Sequence, residues 1–482
     1  MFDSLKEECG VFGIFAEHRS TVSASAYFAL YALQHRGQES CGIAVNDDGL
    51  ITAHRDLGLV PEVFTADALK KLGDGNMAVG HVRYSTTGGQ SRTNAQPLVI
   101  QHVKGKMVIA HNGNLVNAGL LREELEMGGA IFHSTNDTEV IAYIITQARL
   151  NTPSIETALE QAMHKIKGAY SLIVMSPQKL IAARDPTGFR PLCMGKRGGD
   201  IVFASESCAL DSLGAEFIRD IDPGEIVVVD KEKGLRSIRT HCRADNKGNI
   251  CVFEFIYFAR PDSIIEGASV HSARMRAGTY LALEHPVQAD VVVGVPDSGL
   301  DAAIGYSRQS GIPYGIGLIK NRYVGRTFIQ PSQAQREDAV RIKLNVIKAT
   351  VSGKRVVLVD DSIVRGTTSA RIVRLVREAG AKEIHMRISA PPFMNPCYFG
   401  TDIDSKENLI ACKMTVPEIA KKIGVDSLGF ISIENTKNIA EGARCGFCTG
   451  CFTGEYPVEP PADIRKDKFE KRIGETKEIE QD

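Results

Sequence analysis

The chain has 482 residues, of which 43% are hydrophobic and 24% are charged, and its formal net charge at pH 7 is −1. This length predicts about two to four domains of an ordinary soluble globular protein. A net charge so close to zero argues against a general binder of nucleic acids or acidic lipids. The sequence has no apolar run long enough to cross a membrane, and its start, MFDSLKEECG, lacks the apolar core of a signal peptide. We therefore expect a cytoplasmic protein.

The first candidate for chemistry is Cys9, which opens the run CGVFGIF. A single cysteine near an N-terminus is ordinarily a buried or incidental thiol. If the peptide bond after Glu8 is cut, however, Cys9 gains a free α-amine with a pKa of about 7.7–8.0, which is a competent base at neutral pH. A nucleophile activated by its own amine needs no separate histidine. The hypothesis at this point is that residues 1–8 are a propeptide and that Cys9 is a nucleophile.

Further segments strengthen this prediction. They are LQHRGQESCGIA at 33–44, HVRYSTTG at 81–88, AHNGNL at 110–115 and STNDTE at 134–139. Together with CGVFGIF they resemble the glutaminase domain of the class II, N-terminal-nucleophile amidotransferases. The resemblance implies an α+β domain over residues 9–240, with stacked antiparallel sheets between helices. Short apolar runs separated by turn residues between 169 and 230 fit such sheets.

The resemblance also implies roles for four side chains or amides around a bound glutamine. Arg83 is expected to hold the α-carboxylate as a bidentate fork, and Asp137 to accept the α-ammonium. Asn112 and the backbone amide of Gly113 are expected to form the oxyanion hole for the tetrahedral intermediate. Each segment has a local alternative: QHRG as a helix end, HNGN as a hairpin turn, and Asp137 as a first-turn helix residue.

We assign no chemical step to several other residues in the N-terminal half. Arg36 and His81 match family positions close to the site, and we interpret Cys41 as a core residue. The stretch RDPTGFRPL at 184–192 also recurs in this domain family. We interpret it as scaffold near the site. The polar, charged stretch 231–249 is a plausible domain boundary.

Two segments of the second half read as strands that run into polar loops: ADVVVGVPDSG at 289–299 and VVLVDDSIVRGTTS at 356–369. The apolar run 356–359 suits a buried parallel strand, and 370–379 reads as an amphipathic helix with Gly380 at its C′ position. Open α/β sheets bind ligands at such strand ends. The alternative for each loop is a purely structural turn after a core strand, without ligand binding.

VVLVDDSIVRGTTS closely resembles the phosphoribosyl diphosphate (PRPP) signature of the type I phosphoribosyltransferases, which implies an α/β domain with a mostly parallel sheet over 250–455. The resemblance implies that Asp360 and Asp361 contact the ribose and its metal, with Ser298 as a further contact of one magnesium ion per subunit. The 5-phosphate would lie on a loop of five residues: Arg365, Gly366, Thr367, Thr368 and Ser369. Lys320 and Arg322 belong to a basic stretch that resembles the lid of this family.

Both halves together resemble the glutamine phosphoribosylpyrophosphate amidotransferases over roughly residues 9–454. The resemblance implies that PRPP, glutamine and water give 5-phosphoribosylamine, glutamate and pyrophosphate, the first committed step of de novo purine synthesis, with ammonia passing internally between two sites. It also implies a homotetramer inhibited by purine nucleotides. Two alternatives are a hexosamine-phosphate synthase, against which the PRPP signature speaks, and a non-enzymatic PRPP sensor, which would need no glutamine site.

The eleven cysteines are scattered and odd in number, so they do not indicate a disulfide scaffold. The spacing of the last three, in CGFCTGC, suits half a metal site, and on spacing alone tetrahedral zinc is the simpler reading. Resemblance to a bacterial amidotransferase branch implies instead one [4Fe–4S] cluster per subunit, with four thiolate ligands: Cys251, Cys397, Cys448 and Cys451. Because Cys445 is a third cysteine in this segment, the sequence leaves open which two of the three would be the local ligands. Residues 456–482 form a charged C-terminal tail, which we interpret as a solvated terminal helix or a disordered segment.

Overall fold

The computed structural model describes residues 8–84, 91–245, 247–321, 344–401, 403 and 405–461. The chain divides into two compact units. The N-terminal unit is formed by the described residues within 6–251, 398–402 and 456–482. The C-terminal unit is formed by those within 252–397 and 403–455. Within the described parts of the chain, no helix combines the length and apolar character that a membrane crossing requires.

The N-terminal unit contains two antiparallel sheets. The first has seven strands, in the spatial order Glu216–Asp220, Cys193–Arg197, Asp200–Ala204, Gly10–Ser20, Gly75–Arg83, Ser40–Asp47 and Leu50–Leu57. The second has six, in the order Gly234–Ile238, Ile226–Asp230, Lys179–Arg184, Gly168–Met175, Gly105–Leu115 and Leu98–His102. The inner faces meet in one apolar core that includes Val11, Val79, Ala110 and Ile173. Helices cover both outer faces, so the predicted layered α+β architecture is confirmed.

The helices of this unit pack on the outer face of one sheet or the other. The seven-stranded sheet shares its core with helices Val22–Ala32, Val60–Val63, Ala66–Leu72 and Ser207–Ser212. The six-stranded sheet shares its core with Ala118–Met127, Asp137–Leu150 and Ile155–Met163. The unit also contains a short 3-10 helix, Arg92–Asn94, and a short strand, Asn249–Cys251.

The C-terminal unit is built on a four-stranded parallel sheet, in the order Val291–Gly294, Arg355–Asp360, Glu383–Ile388 and Ser427–Phe430. Its α-helices are Val270–Glu284, Gly299–Ser310, Lys348–Val351, Thr367–Glu378, Val416–Ile423, Ile433–Lys437 and Gly450–Thr453. Short strands pair as Ile264–Ile265 with Ala268–Ser269, and as Leu318–Lys320 with Leu344–Val346. The remaining elements are Glu254–Phe258, Lys406–Asn408, Ile410–Cys412 and strand Gly446–Cys448. The predicted parallel α/β sheet is confirmed.

Three boundaries differ from those expected from the sequence: the division between the units, the continuity of the second domain, and the start of one helix. The division between the units falls between Cys251 and Val252, and residues 398–401 belong to the N-terminal unit, so the expected continuous domain 250–455 is interrupted. The physical reason is local: the Asn114 side chain and the Arg190 guanidinium donate hydrogen bonds to backbone carbonyls of this segment. The helix expected at 370–379 begins earlier, at Thr367, so the predicted hydroxyl residues form its first turn.

Candidate active sites

Cys9 lies at the N-terminal end of the central strand of the seven-stranded sheet. The strand Gly10–Ser20 begins directly after it, and Gly10 is paired with Val82 on the strand that ends at Arg83. The Cys9 Sγ therefore lies beside the end of that strand, where it donates a hydrogen bond of 3.4 Å to the carbonyl oxygen of Tyr84. This arrangement brings the predicted nucleophile and the predicted carboxylate-binding Arg83 to one place.

Burial raises the pKa of the Cys9 thiol to about 11, because the thiolate would lose its hydration. The positive charge of Arg83 and the hydrogen bond to the Tyr84 carbonyl oppose the shift, while the nearby carboxylates of Glu8 and Asp137 add to it. At neutral pH the residue is therefore a thiol as long as Glu8 and Cys9 are joined. A base must take its proton before it attacks a carbonyl carbon.

An ion-pair network supports the backbone of the nucleophile. The Arg36 Nε donates a hydrogen bond of 2.9 Å to the Cys9 carbonyl oxygen, and its Nη1 lies 2.6 Å from the Glu206 Oε1. His35 Nε2 contacts the same carboxylate oxygen at 2.8 Å. Arg36 and Glu206 are both fully buried. Burial alone would raise the pKa of Glu206, but its contacts with His35 and Arg36 hold that pKa far below its usual range. Sequence reasoning missed Glu206, because no motif marks it.

Asn112 has the features expected of an oxyanion-hole residue. It lies on the strand Gly105–Leu115, which excludes the hairpin turn considered as an alternative. Its side chain is fully buried, and neither its Nδ2 nor its Oδ1 has a hydrogen-bond partner among the described residues. A buried amide without partners is costly in a native protein unless a ligand completes it. The chain follows with Gly113 at φ +143°, where an added Cβ would lie 2.1 Å from the Ala169 carbonyl oxygen.

Asp137 is buried at the first position of the helix Asp137–Leu150. Its Oδ2 accepts a hydrogen bond of 3.0 Å from the Leu115 amide, and its Oδ1 lies 3.4 Å from His111 Nδ1. Burial acts to raise the pKa of Asp137, but His111, the Leu115 amide and Arg83 together bring it below the usual value. The carboxylate is therefore ionised and suited to an ammonium group. The expectation of a first-turn helix position and the expectation of a ligand-binding role are compatible.

His81 is held in its neutral form beside this site. Burial lowers its pKa to about 3. Its Nε2 lies 2.9 Å from the His111 carbonyl oxygen, so Nε2 carries the proton in this contact. A histidine in this state gives no protonation change at neutral pH, in agreement with the absence of a chemical step assigned to it.

In the C-terminal unit, the acidic pair lies at the carboxyl end of the strand Arg355–Asp360. Asp360 and Asp361 are both buried, and the Ser298 hydroxyl donates a hydrogen bond of 2.6 Å to the Asp361 Oδ1. Burial and the neighbouring charge of Asp361 raise the pKa of Asp360 well above its usual value. Two crowded carboxylates with a serine oxygen are a donor set suited to a hard divalent cation such as magnesium. The structure thus brings together the three predicted magnesium ligands.

The predicted phosphate loop forms the turn from this strand into the next helix. Gly366 has φ +82°, and a Cβ there would lie 2.8 Å from the Ile410 Cδ1. Thr367, Thr368 and Ser369 follow in the first helical turn, where backbone amides favour an anion. Arg365 precedes this turn and is half-buried.

Of the two predicted lid residues, only Lys320 is among the residues that the structure describes. Lys320 ends the strand Leu318–Lys320, and its Nζ lies 2.8 Å from the Asp297 Oδ2, an exposed ion pair. Arg322 lies outside the described residues. The role of the lid therefore stays a prediction.

Among the described residues, none of the four predicted cluster ligands forms a disulfide. In the C-terminal unit, the Cys451 carbonyl oxygen accepts hydrogen bonds of 3.0 Å from the Met394 and Asn395 amides, close in sequence to Cys397. The Cys448 carbonyl oxygen accepts one of 3.3 Å from the amide of Val252, which follows Cys251. The aromatic rings of Phe253, Phe393 and Phe452 pack beside these segments.

The thiol chemistry and apolar packing fit an iron–sulfur cluster. Among the described residues, however, no group of three or more His, Cys, Asp or Glu side chains is arranged to hold a metal ion. The cluster therefore stays a prediction.

Comparison with known domain families gives two matches. A glutamine amidotransferase domain matches residues 81–212, and a phosphoribosyl transferase domain matches residues 274–397. These matches define the class of protein: one chain joins a glutamine amidotransferase domain to a phosphoribosyltransferase domain.

Similar proteins match almost the whole chain. The amidophosphoribosyltransferase of Methanocaldococcus jannaschii is 50% identical over 97% of this chain and 99% of its own length. That of Bacillus subtilis is 49% identical over 94% and 95%. The chain therefore belongs to the amidophosphoribosyltransferase family. This confirms the predicted enzyme class and the predicted activity, the glutamine-dependent formation of 5-phosphoribosylamine from PRPP.

Solved structures show the same relationship. A structure described as the allosteric regulatory enzyme of purine biosynthesis has a TM-score of 0.88 and 48% identity, and the match covers 95% of this chain and 97% of that one. The glutamine PRPP amidotransferase from B. subtilis, complexed with ADP and GMP, has a TM-score of 0.87 and 48% identity over 94% and 98%.

Proposed function

We propose that the reaction takes place at two centres, Cys9 for glutamine and the pair Asp360 and Asp361 for PRPP. The observation that carries this proposal is the buried amide of Asn112, which has no hydrogen-bond partner among the described residues of the unit that holds Cys9 and Arg83. An oxyanion forming on a substrate amide would give this side chain the acceptor that those residues do not supply. A structural residue at that position would gain nothing from such an arrangement.

In the glutamine half, Arg83 binds the α-carboxylate and Asp137 binds the α-ammonium of the substrate. The α-amine exposed after removal of residues 1–8 takes the proton of the Cys9 thiol, and the sulfur attacks the side-chain carbonyl carbon. Asn112 and the Gly113 amide stabilise the oxyanion. The α-ammonium of Cys9 then returns the proton to the leaving nitrogen as the C–N bond breaks, so ammonia leaves and a thioester remains. Water hydrolyses the thioester to glutamate and restores the thiol.

In the PRPP half, Asp360 and Asp361 receive the ribose hydroxyls, and the loop 365–369 receives the 5-phosphate. The backbone amides at the start of the helix Thr367–Glu378 bind that phosphate, and Gly366 allows close approach of the chain. Magnesium, held by Ser298 and the two carboxylates, would neutralise charge on the pyrophosphate group. Ammonia that passes internally reaches C1 of the ribose as the free base, whereas ammonia released into water at neutral pH would be mostly protonated.

We further propose a [4Fe–4S] cluster bound by Cys251, Cys397, Cys448 and Cys451. Its role is structural or oxygen-sensing, because the reaction transfers no electrons. A purified sample with stoichiometric iron and sulfide and a broad visible absorbance would support the cluster. Stoichiometric zinc without sulfide would refute it. Purine nucleotides as inhibitors and a homotetrameric assembly are part of the same proposal, and the B. subtilis complex with ADP and GMP supports the former.

The two centres are tested separately by Cys9→Ser. We expect glutamine-dependent formation of pyrophosphate to fall by several orders of magnitude, whereas formation from added ammonia stays near the wild-type rate. The matched control is Cys242→Ser, a half-exposed thiol of the same unit outside the site. This control should preserve both activities. Glutamine-dependent turnover that survives Cys9→Ser at the normal rate would refute the assignment of the nucleophile.

A further inference from the structure

The residue before the nucleophile is unexpectedly well held. Glu8 is only 1% exposed, although it belongs to the segment that the proposed maturation removes. Its Oε1 lies 2.7 Å from the Nη2 of Arg190, which is fully buried, and accepts a hydrogen bond of 3.2 Å from the Thr401 hydroxyl. A carboxylate is costly to bury unless it is paired and hydrogen-bonded. The N-terminal unit provides both kinds of contact for this one side chain.

Several further contacts and a closely packed glycine shape the pocket around Glu8. The Arg190 Nη2 also donates a hydrogen bond of 2.6 Å to the Phe399 carbonyl oxygen, and the rings of Phe189 and Phe399 stack with centroids 4.2 Å apart. Gly400 has φ +123°, and a Cβ at this position would lie 2.7 Å from the Arg190 Nη2. Only glycine therefore leaves room for the guanidinium and the carboxylate together.

The bond between Glu8 and Cys9 is fixed on both sides. On one side Arg190 and Thr401 hold the Glu8 side chain. On the other side Arg36 holds the Cys9 carbonyl oxygen at 2.9 Å. Two anchors on adjacent residues restrict rotation of the peptide unit between them. None of the three anchoring side chains has a role in the glutamine or PRPP chemistry described above.

We propose that Arg190 and Thr401 form a carboxylate pocket that positions the Glu8–Cys9 peptide bond for hydrolysis and selects an acidic residue at position 8. This inference rests on the proposed removal of residues 1–8. One water is consumed: the bond between the Glu8 carbonyl carbon and the Cys9 nitrogen breaks. The carbon becomes a carboxylate, and the nitrogen becomes the α-amine that the glutamine reaction requires. Arg190 and Thr401 are positioning residues, since neither touches the reacting atoms.

A consequence for maturation follows from the position of Thr401 in the sequence. The pocket is complete only after residues 398–401 have joined the N-terminal unit, where Asn114 holds the Tyr398 carbonyl oxygen at 2.8 Å. Residues 1–8 therefore stay on the chain until residues 398–401 have been synthesised and folded. An active nucleophile is thus released only in a chain whose C-terminal part is present.

The test follows the mass of the full chain over time after synthesis, by intact-protein mass spectrometry, in four variants. Loss of the charge in Glu8→Gln should slow removal of the leader by roughly 10- to 100-fold, the effect of one charge-assisted hydrogen bond. Glu8→Asp keeps the charge with a shorter side chain and should be cleaved faster than Glu8→Gln. Thr401→Val should slow cleavage severalfold, while Thr401→Ser, which keeps the hydroxyl, should match the wild type.

Folding is monitored in each variant by ammonia-dependent activity and by the melting temperature. A merely structural role for Glu8 would predict that the aspartate and glutamine variants are equally impaired, and this result would overturn the pocket. Cleavage of Glu8→Gln at the wild-type rate would overturn it as well, while leaving the proposed maturation intact. A wild-type protein that keeps residues 1–8 would overturn both the pocket and the maturation on which it rests.

Discussion

Replacing Asn112 by alanine should separate stability from activity. The side-chain amide is fully buried without a hydrogen-bond partner among the described residues, a state that costs about 1–3 kcal/mol of stability. Deleting the amide removes this cost but leaves a small cavity, which costs about 1 kcal/mol. We therefore expect the stability of the N-terminal unit to stay equal or to rise slightly. Glutaminase turnover should fall by about 10²–10³-fold, the typical loss for one oxyanion-hole donor.

The matched control for this variant is Asn46→Ala. Asn46 is an equally buried asparagine of the same unit, but its Oδ1 accepts from the Gly49 amide at 2.7 Å and its Nδ2 donates to the Pro177 carbonyl oxygen at 3.0 Å. Its loss leaves those partners unsatisfied, so it should cost about 1–3 kcal/mol with little change in turnover.

Both variants are assayed in the same way. Glutamate release in the presence of PRPP reports glutaminase turnover. Urea midpoints for the strand Gly105–Leu115, from hydrogen exchange, report the stability of the unit. A loss of stability in Asn112→Ala as large as in Asn46→Ala, with turnover intact, would refute the oxyanion-hole assignment.

Three further predictions concern charge. Glu206→Gln leaves the buried Arg36 without its ion pair, so it should destabilise the N-terminal unit by about 3–5 kcal/mol near pH 7 in urea unfolding. Because the pKa of Glu206 is depressed in the folded state, that gap between wild type and variant should close as the pH falls through the folded-state pKa. With residues 1–8 attached, Cys9 alkylation should rise about tenfold per pH unit up to about pH 11, since its pKa is raised to about 11. A plateau near pH 9 would contradict this. Asp360→Asn with Asp361→Asn should abolish synthesis from both glutamine and ammonia, and unchanged ammonia-dependent pyrophosphate release would exclude this pair as the PRPP site.

The parts of the site that could be predicted from sequence are those in which chemistry and local structure coincide in one short segment. Asp360 and Asp361 follow an apolar, mostly β-branched run, so both the strand and the loop that carries the proposed ligands are visible in the same stretch. Asn112 and Gly113 were likewise marked by their motif. The stacked and parallel sheets were indicated by short apolar runs, such as 170–175 and 356–359, which the structure places in buried strands.

The contacts that could not be predicted join residues distant in sequence. Glu206 reaches Arg36 from the segment after the strand Asp200–Ala204, and Thr401 reaches Glu8 from the far end of the chain. A single glutamate or threonine in a polar loop has no local signal of its partner. Arg190 was interpreted only as part of a scaffold stretch. Its partner, Glu8, lies in the segment 1–8, for which the sequence predicted no structure.

The buried polar groups around Cys9 differ in whether the folded chain satisfies them, and this difference separates their roles. Arg36 and Glu206 satisfy each other, so they gain nothing from a substrate and serve to hold the backbone. The Asn112 amide is unsatisfied among the described residues, so its stabilisation must come from what binds there. Arg190 and Glu8 also satisfy each other, but Glu8 lies in the segment that the proposed maturation removes. Under that proposal their contact would be lost in the step that creates the α-amine of Cys9, so maturation would precede catalysis.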